Sequence, residues 1–126
     1  MTSEELRIRM KKFAVRVIKL ADNLPDKASG RAISNQIIRS GTSPGANYRA
    51  ACLGKSDKDF INKLKIVEEE LDETLYWLEL IEETGLIKKI LISDLMNENQ
   101  ELLKIIISSI NTMKKKLNNN KIVNGK

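Results

Sequence analysis

Residues 56–85, SDKDFINKLKIVEEELDETLYWLELIEETG, decide the fold. Phe60, Leu64, Val67, Leu71, Thr74 or Leu75, Leu78 and Ile81 recur at steps of three and four, the spacing that lines side chains along one face of an α-helix. Ser56 stands where an N-cap belongs, Asp59 follows three residues later in the manner of a capping box, and Gly85 stands where a left-handed C-cap belongs. A stripe of that length needs about seven turns. The segment is predicted to be one long amphipathic helix, and such a helix is stable only when its apolar face is covered.

The neighbouring segments supply the cover. Upstream, Leu6, Met10, Phe13, Val17 and Leu20 or Ala21 mark a first helix from Ser3 to about Asp22. Thr2 or Ser3 can cap it, Glu4 and Glu5 suit its first turn, and Asn23-Leu24-Pro25 ends it, since proline disfavours helical geometry in the residue before it. A second periodic stretch starts near Ala28 and runs through Ile33, Ile37, Ser40, Pro44, Asn47 or Tyr48 and Ala51. Its face turns small and polar in SGTSPGAN, residues 40–47, where a neighbouring helix can come close. Pro44 predicts a kink or break there, and a plain loop between two shorter helices is the alternative. On a continuous helix Asn47 lies at the edge of the stripe and is expected to bond to backbone or to a facing side chain, because a buried amide without a partner is costly. Downstream, Ser93 is expected to cap a last helix carrying Leu95, Leu102, Ile106, Ile110, Met113 and Leu117 on one face. Four such helices with short connections predict an all-α fold, an antiparallel up-down-up-down four-helix bundle over residues 1–117, followed by a flexible basic tail at 118–126.

One domain accounts for all 126 residues. Histidine is absent and Cys52 is the single cysteine, which removes the commonest general base, the commonest metal ligand and any thiolate or imidazole zinc site. No catalytic residue, metal ligand or cofactor site is assigned. Glu68, Glu69, Glu70, Asp72 and Glu73 lack the Glu-x-x-His pattern of a di-metal bundle and read as a solvated face. Cys52 has Arg49 and Lys55 within a turn but no base, so it reads as a packing residue. The start of the chain has no apolar stretch of signal-peptide length, and LLKIIISSI, broken by Lys104, is far short of the roughly 20 residues of a membrane span. The expectation is a cytoplasmic protein with no membrane partner.

The net charge of +5 conceals a strong segregation. Residues 1–55 hold 11 Lys/Arg against 4 Asp/Glu, residues 56–87 hold 3 against 10, and residues 88–126 hold 8 against 3. Either acidic and basic helices attract one another, within the bundle or between subunits, or a basic face is offered to phosphates. The candidate phosphate contacts are Arg7, Lys11, Lys12, Arg16 and Lys19 of the first helix, Arg31, Arg39 and Arg49 of the second, and Lys114, Lys115 and Lys116, with Lys121 and Lys126 beyond them. Few aromatics are available for base stacking, which argues against dedicated single-strand recognition. At about 100° per residue, Ile66, Trp77 and Leu80 fall roughly opposite the main stripe of the third helix. Ile8 and Val15 do so more weakly on the first. A patch centred on tryptophan is a candidate self-association surface.

Three segments, SGTS-x-GANYR at 40–49, DF-x-x-KLKI at 59–66 and DET-x-YWLEL at 72–80, resemble the bacterial four-helix bundle family whose founding members are encoded within intervening sequences of 23S ribosomal RNA genes. The resemblance implies a small bundle assembled as a ring, usually a homopentamer, with no known catalysis. A related branch, the accessory proteins of diversity-generating retroelements, implies a basic pentamer that binds nucleic acid and a reverse transcriptase. This chain has Ala50 and Pro44 where the family pattern has glutamate and a variable aliphatic residue. The functional expectation is a non-enzymatic homo-oligomer that binds RNA or DNA through backbone phosphates without sequence readout. The alternative is a protein-interaction scaffold or an accessory subunit of a partner enzyme such as a reverse transcriptase. The first needs the basic residues to converge on one exposed face, whereas the second lets the acidic third helix cover them.

Overall fold

Capping chemistry sets both ends of the first and third helices. In a computed structural model, which describes the backbone of residues 1–124 and the side chains of residues 1–120, the elements are α1 (Ser3–Asp22), α2 (Ala28–Cys52), α3 (Asp57–Thr84) and α4 (Lys89–Asn124), with no strand among the described residues. Thr2 Oγ1 accepts from the Glu5 N–H at 3.1 Å and Ser56 Oγ from the Asp59 N–H at 3.1 Å, satisfying N–H groups that the first turns leave free. Asn23 Nδ2 donates to the Lys19 carbonyl at 2.8 Å where α1 stops. Gly85, at φ 69°, takes the left-handed conformation that closes α3.

Each helix then gives one stripe to a common core. Leu6, Met10, Phe13 and Val17 come from α1, Ile33, Ile37 and Tyr48 from α2, Leu64, Val67, Leu71, Leu78 and Ile81 from α3, and Ile92, Leu95, Leu102, Ile106 and Ile110 from α4. Consecutive helices pack along their lengths, and α1 meets α4 along the thinnest seam of this four-helix bundle.

The SGTSPGAN stretch forms the middle of an unbroken α2, with Pro44 buried inside it, so the loop alternative does not form. Packing explains why a sequence with loop composition stays helical. A Cβ on Gly41 would lie 2.6 Å from Val17 Cγ1 and one on Gly45 3.6 Å from the Met10 backbone, so the small residues let α1 settle against α2. On the α3 side, Thr74 Oγ1 donates to Ser40 Oγ at 2.9 Å in the core. These contacts offset the roughly 3 kcal/mol that proline costs inside a helix. Asn47 Nδ2 donates to the Ser43 carbonyl at 3.0 Å and to the Ser43 hydroxyl at 2.8 Å, finding its partners one turn back in its own helix.

Three expectations are corrected. α4 starts at Lys89 and not at Ser93; the Ser93 hydroxyl turns back to the Ile90 carbonyl at 3.5 Å instead of capping, and Ile92 joins the core. Phe60 has the right phase for the α3 stripe but sits in the open first turn and is half-buried, while Ile61 is buried. α4 also continues beyond Leu117, the end expected for the bundle, as far as Asn124. The side chain of Lys121 and the whole of Lys126 lie outside the described residues. One buried polar residue had no sequence signal: Asn99 of α4, with its amide turned so that Nδ2 donates to the Leu71 carbonyl (3.0 Å) and Oδ1 accepts from the Leu75 N–H (3.3 Å), clasps the backbone of α3.

Candidate nucleic-acid interface

The cations of α1 cannot occupy its core stripe, so they spread over its two flanks and its back. Toward α2, Arg7 and Lys11 line a groove together with Arg49, over a floor of Ala14, Thr42, Gly45 and Ala46. Glu4 and Ile8 complete the lining, so three cations face one carboxylate. Small floor residues and excess positive charge let an anion come close to the helix crossing. Beneath this seam the phenol of Tyr48 is pushed up to about 12, first by burial and then by the adjoining Cys52, with the positive charge of Arg7 working against the shift.

Toward α4, Arg16 and Lys19 border a second groove together with Lys88. Lys12 is exposed on α1, and Lys114 and Lys115 are exposed on α4. Lys116 Nζ lies 3.5 Å from Asp57 Oδ2. Arg31 pairs with Asp26 at 2.8 Å, and since both are well exposed the pair contributes little. Arg39 is committed to the acidic helix: it donates to Glu70 Oε2 at 3.1 Å and to Glu73, whose carboxylate also accepts the Trp77 indole N–H at 3.0 Å.

The basic residues therefore do not share one face. The structure brings together Arg7, Lys11 and Arg49, separates Arg16 and Lys19 from them, and turns Arg39 toward acidic α3. The expected self-association residues are also redistributed. Ile66 is exposed, but Trp77 and Leu80 are half-buried and pack against the core cluster. A helical wheel with a single buried side misplaces them because α3 packs against both α2 and α4, which widens its covered arc. Tyr76, 53% exposed, meets the Trp77 ring edge-on with centroids 5.1 Å apart. On α1, Ile18 joins Ile8 and Val15 as exposed aliphatics.

Two cations escaped the sequence reading. Arg9 forms a two-pronged pair with Glu98, both contacts 2.7 Å, joining α1 to α4. That hydrogen-bonded carboxylate raises the Arg9 pKa further above its ordinary value, against a smaller opposing effect of burial. Lys88 lies just before α4, separated by Lys89 from the apolar pair Ile90 and Leu91. Among the described residues no cluster of three or more His, Cys, Asp or Glu side chains has the arrangement of a metal site, and no helix is long and apolar enough to cross a membrane.

The family described as 23S rRNA-intervening sequence protein matches residues 5–108. The chain is similar to a crystal structure of a protein with unknown function from the S23 ribosomal protein family from Bacteroides thetaiotaomicron. The two share 41% identity and a TM-score of 0.78, over 83% of this chain and 97% of the other. No curated protein matches the chain.

Proposed function

This chain belongs to the 23S rRNA-intervening sequence protein family, and from that membership and its charge layout we propose a non-enzymatic, homo-oligomeric helical bundle that binds RNA or DNA through backbone phosphates without sequence readout. The observation that carries the reading is the groove where Arg7, Lys11 and Arg49 converge over small residues. Phosphodiesters need fixed positive charge and close approach, and this groove offers both. Lys114 and Lys115 add exposed charge on α4. A cytoplasmic setting belongs to the same proposal.

The up-down-up-down course of the helices is also part of it. Its support is that Gly41 meets Val17 while Gly45 meets Met10, and that Asn99 meets Leu71 while Lys116 meets Asp57, so residue numbers run in opposite senses across those pairs. For self-association, the exposed Ile8, Val15 and Ile18 lie on a basic helix, and Ile66 and Tyr76, with the half-buried Trp77 and Leu80, lie on an acidic one. Apolar residues ringed by opposite charges on two helices suit the meeting of α1 from one copy with α3 from another. A ring of five is the number the family resemblance supplies.

Two observations favour a second reading, a scaffold or accessory subunit of a partner enzyme such as a reverse transcriptase: the basic residues do not converge on one face, and Arg39 is already held by Glu70 and Glu73 and has little charge left for phosphate. Titration of fluorescent RNA and DNA duplexes of unrelated sequence against the protein, repeated across salt concentrations, separates the two. Affinities should be similar between sequences and fall steeply with salt. Replacing Arg7, Lys11 and Arg49 by alanine should flatten the log–log salt slope by about 3, whereas Arg39→Ala should leave it nearly unchanged. Undetectable binding of both duplexes at low salt ends the nucleic-acid reading and promotes the scaffold.

A further inference from the structure

The seam between α1 and α4 opens at one end into a groove whose floor is Leu20, Leu86, Ile87 and Leu95. Leu91, 69% exposed, lines it, and Ile90, 80% exposed, precedes Leu91 in the chain, leaving two consecutive large aliphatics in water at the start of α4. Arg16, Lys19 and Lys88 supply the charge of the lining, and no carboxylate does. From this pairing of an apolar floor with a rim of three cations and the neutral Asn23, we propose that the groove docks an acidic amphipathic helix from another protein, inserting apolar side chains at i, i+3 or i+4 and i+7 with Asp or Glu on either side. The inference is independent of nucleic-acid binding, which uses the opposite flank of α1.

The other surfaces of this chain fit the groove poorly. The exposed strip of α1, Ile8, Val15 and Ile18, is interspersed with Lys11, Lys12 and Lys19 and would set cations against cations. On acidic α3 the exposed large apolar residues are Ile66 and Tyr76, ten positions or about 15 Å apart along the helix. Trp77 and Leu80 beside them are engaged with their own core. Neither helix presents a compact apolar ridge flanked by acids, and Leu103 and Ile107 of α4, which do lie among Glu68, Glu69 and Asp72, line a groove of their own and not a ridge, so the charge pattern selects a foreign segment.

The test uses two fluorescent, lactam-braced peptides of about 15 residues, the braces holding the helix that so short a chain would otherwise lose. They share leucines at the insertion positions and differ only in carrying glutamate or lysine at the flanking positions. Anisotropy titration with the full chain should give at least tenfold tighter binding of the glutamate peptide. Lys19→Glu together with Lys88→Glu should abolish or reverse that preference, and Leu91→Glu, at an exposed site that folding tolerates, should weaken both peptides at least tenfold. Equal affinities, no binding of the glutamate peptide, or binding unchanged in the variants overturns the proposal. It is also overturned if Leu91→Glu lowers the mass of the protein measured by light scattering without peptide, which would make the groove a contact between copies, or if duplex RNA displaces the peptide competitively, which would make it a phosphate site.

Discussion

Gly41 is expected to be intolerant of alanine, although it sits mid-helix where alanine is intrinsically preferred. A methyl group there would lie 2.6 and 2.9 Å from the two Cγ atoms of Val17 and 3.0 Å from its Cβ. Carbon atoms in contact prefer about 3.5–4.0 Å, so α1 would have to withdraw by about 1 Å at this crossing. Val17 is fully buried and β-branched, so it cannot rotate clear. Overpacking of this kind costs about 1–3 kcal/mol, and the better helix propensity of alanine returns about 1 kcal/mol, leaving Gly41→Ala destabilised by about 1 kcal/mol. In a Val17→Ala background both Cγ atoms are gone and only the Cβ contact has to relax. There the same substitution should stabilise by about 1 kcal/mol, a coupling of about 2 kcal/mol between the sites. Urea unfolding of the four proteins at one fixed protomer concentration reads the cycle, with stability taken from midpoints at constant slope. An equal effect of Gly41→Ala in both backgrounds would refute the claim that close approach to Val17 dictates the glycine.

Two further outcomes follow from the backbone and from burial. Gly85, at φ 69° with nothing near its missing Cβ, isolates the conformational penalty: Gly85→Ala should cost about 1 kcal/mol and Gly85→Asn clearly less, and equal losses in urea unfolding would mean that some other feature closes α3. Tyr48 ionises at about 12 in the folded chain and at about 10 when unfolded, so the unfolded chain releases the proton first. Its contribution is intact below about pH 10 and is lost as pH rises toward 12. Tyr48→Phe should flatten that alkaline decline, and an identical decline in both proteins would show that another group drives it.

The parts of the fold legible in the sequence are those governed by local chemistry. Ser56, Gly85 and the three-four spacing of Leu64, Val67, Leu71 and Leu78 need no knowledge of the rest of the chain, and α3 forms as they dictate. Pro44 was ambiguous because propensity and packing oppose each other there; the decisive atoms belong to α1 and α3, which no local window contains. Ser93 misled for the reverse reason, since a good capping residue also bonds backward inside a helix that neighbouring Ile92 extends. The charges were countable but not placeable. That Arg39 is held by Glu70 and Glu73, more than thirty residues away, and that Arg7, Lys11 and Arg49 share one groove are facts of tertiary geometry.

The bundle is also unevenly hinged. α2 and α3 each have a neighbour packed along both sides, whereas α1 and α4 each have one full neighbour and touch one another along the thin seam that Arg9 and Glu98 bridge. Breathing motions that stop short of global unfolding should begin at that edge, because lifting either outer helix there breaks one interface and not two. Amide hydrogens facing the seam should exchange with solvent well before those at the α2–α3 junction around Ser40 and Thr74. The groove rimmed by Arg16, Lys19 and Lys88 lies at the mouth of the same seam, so its width and the exchange rates of the flanking helices are two readings of a single motion. Anything that settles into the groove will slow that exchange from a distance, and anything that breaks the Arg9–Glu98 bridge will quicken it.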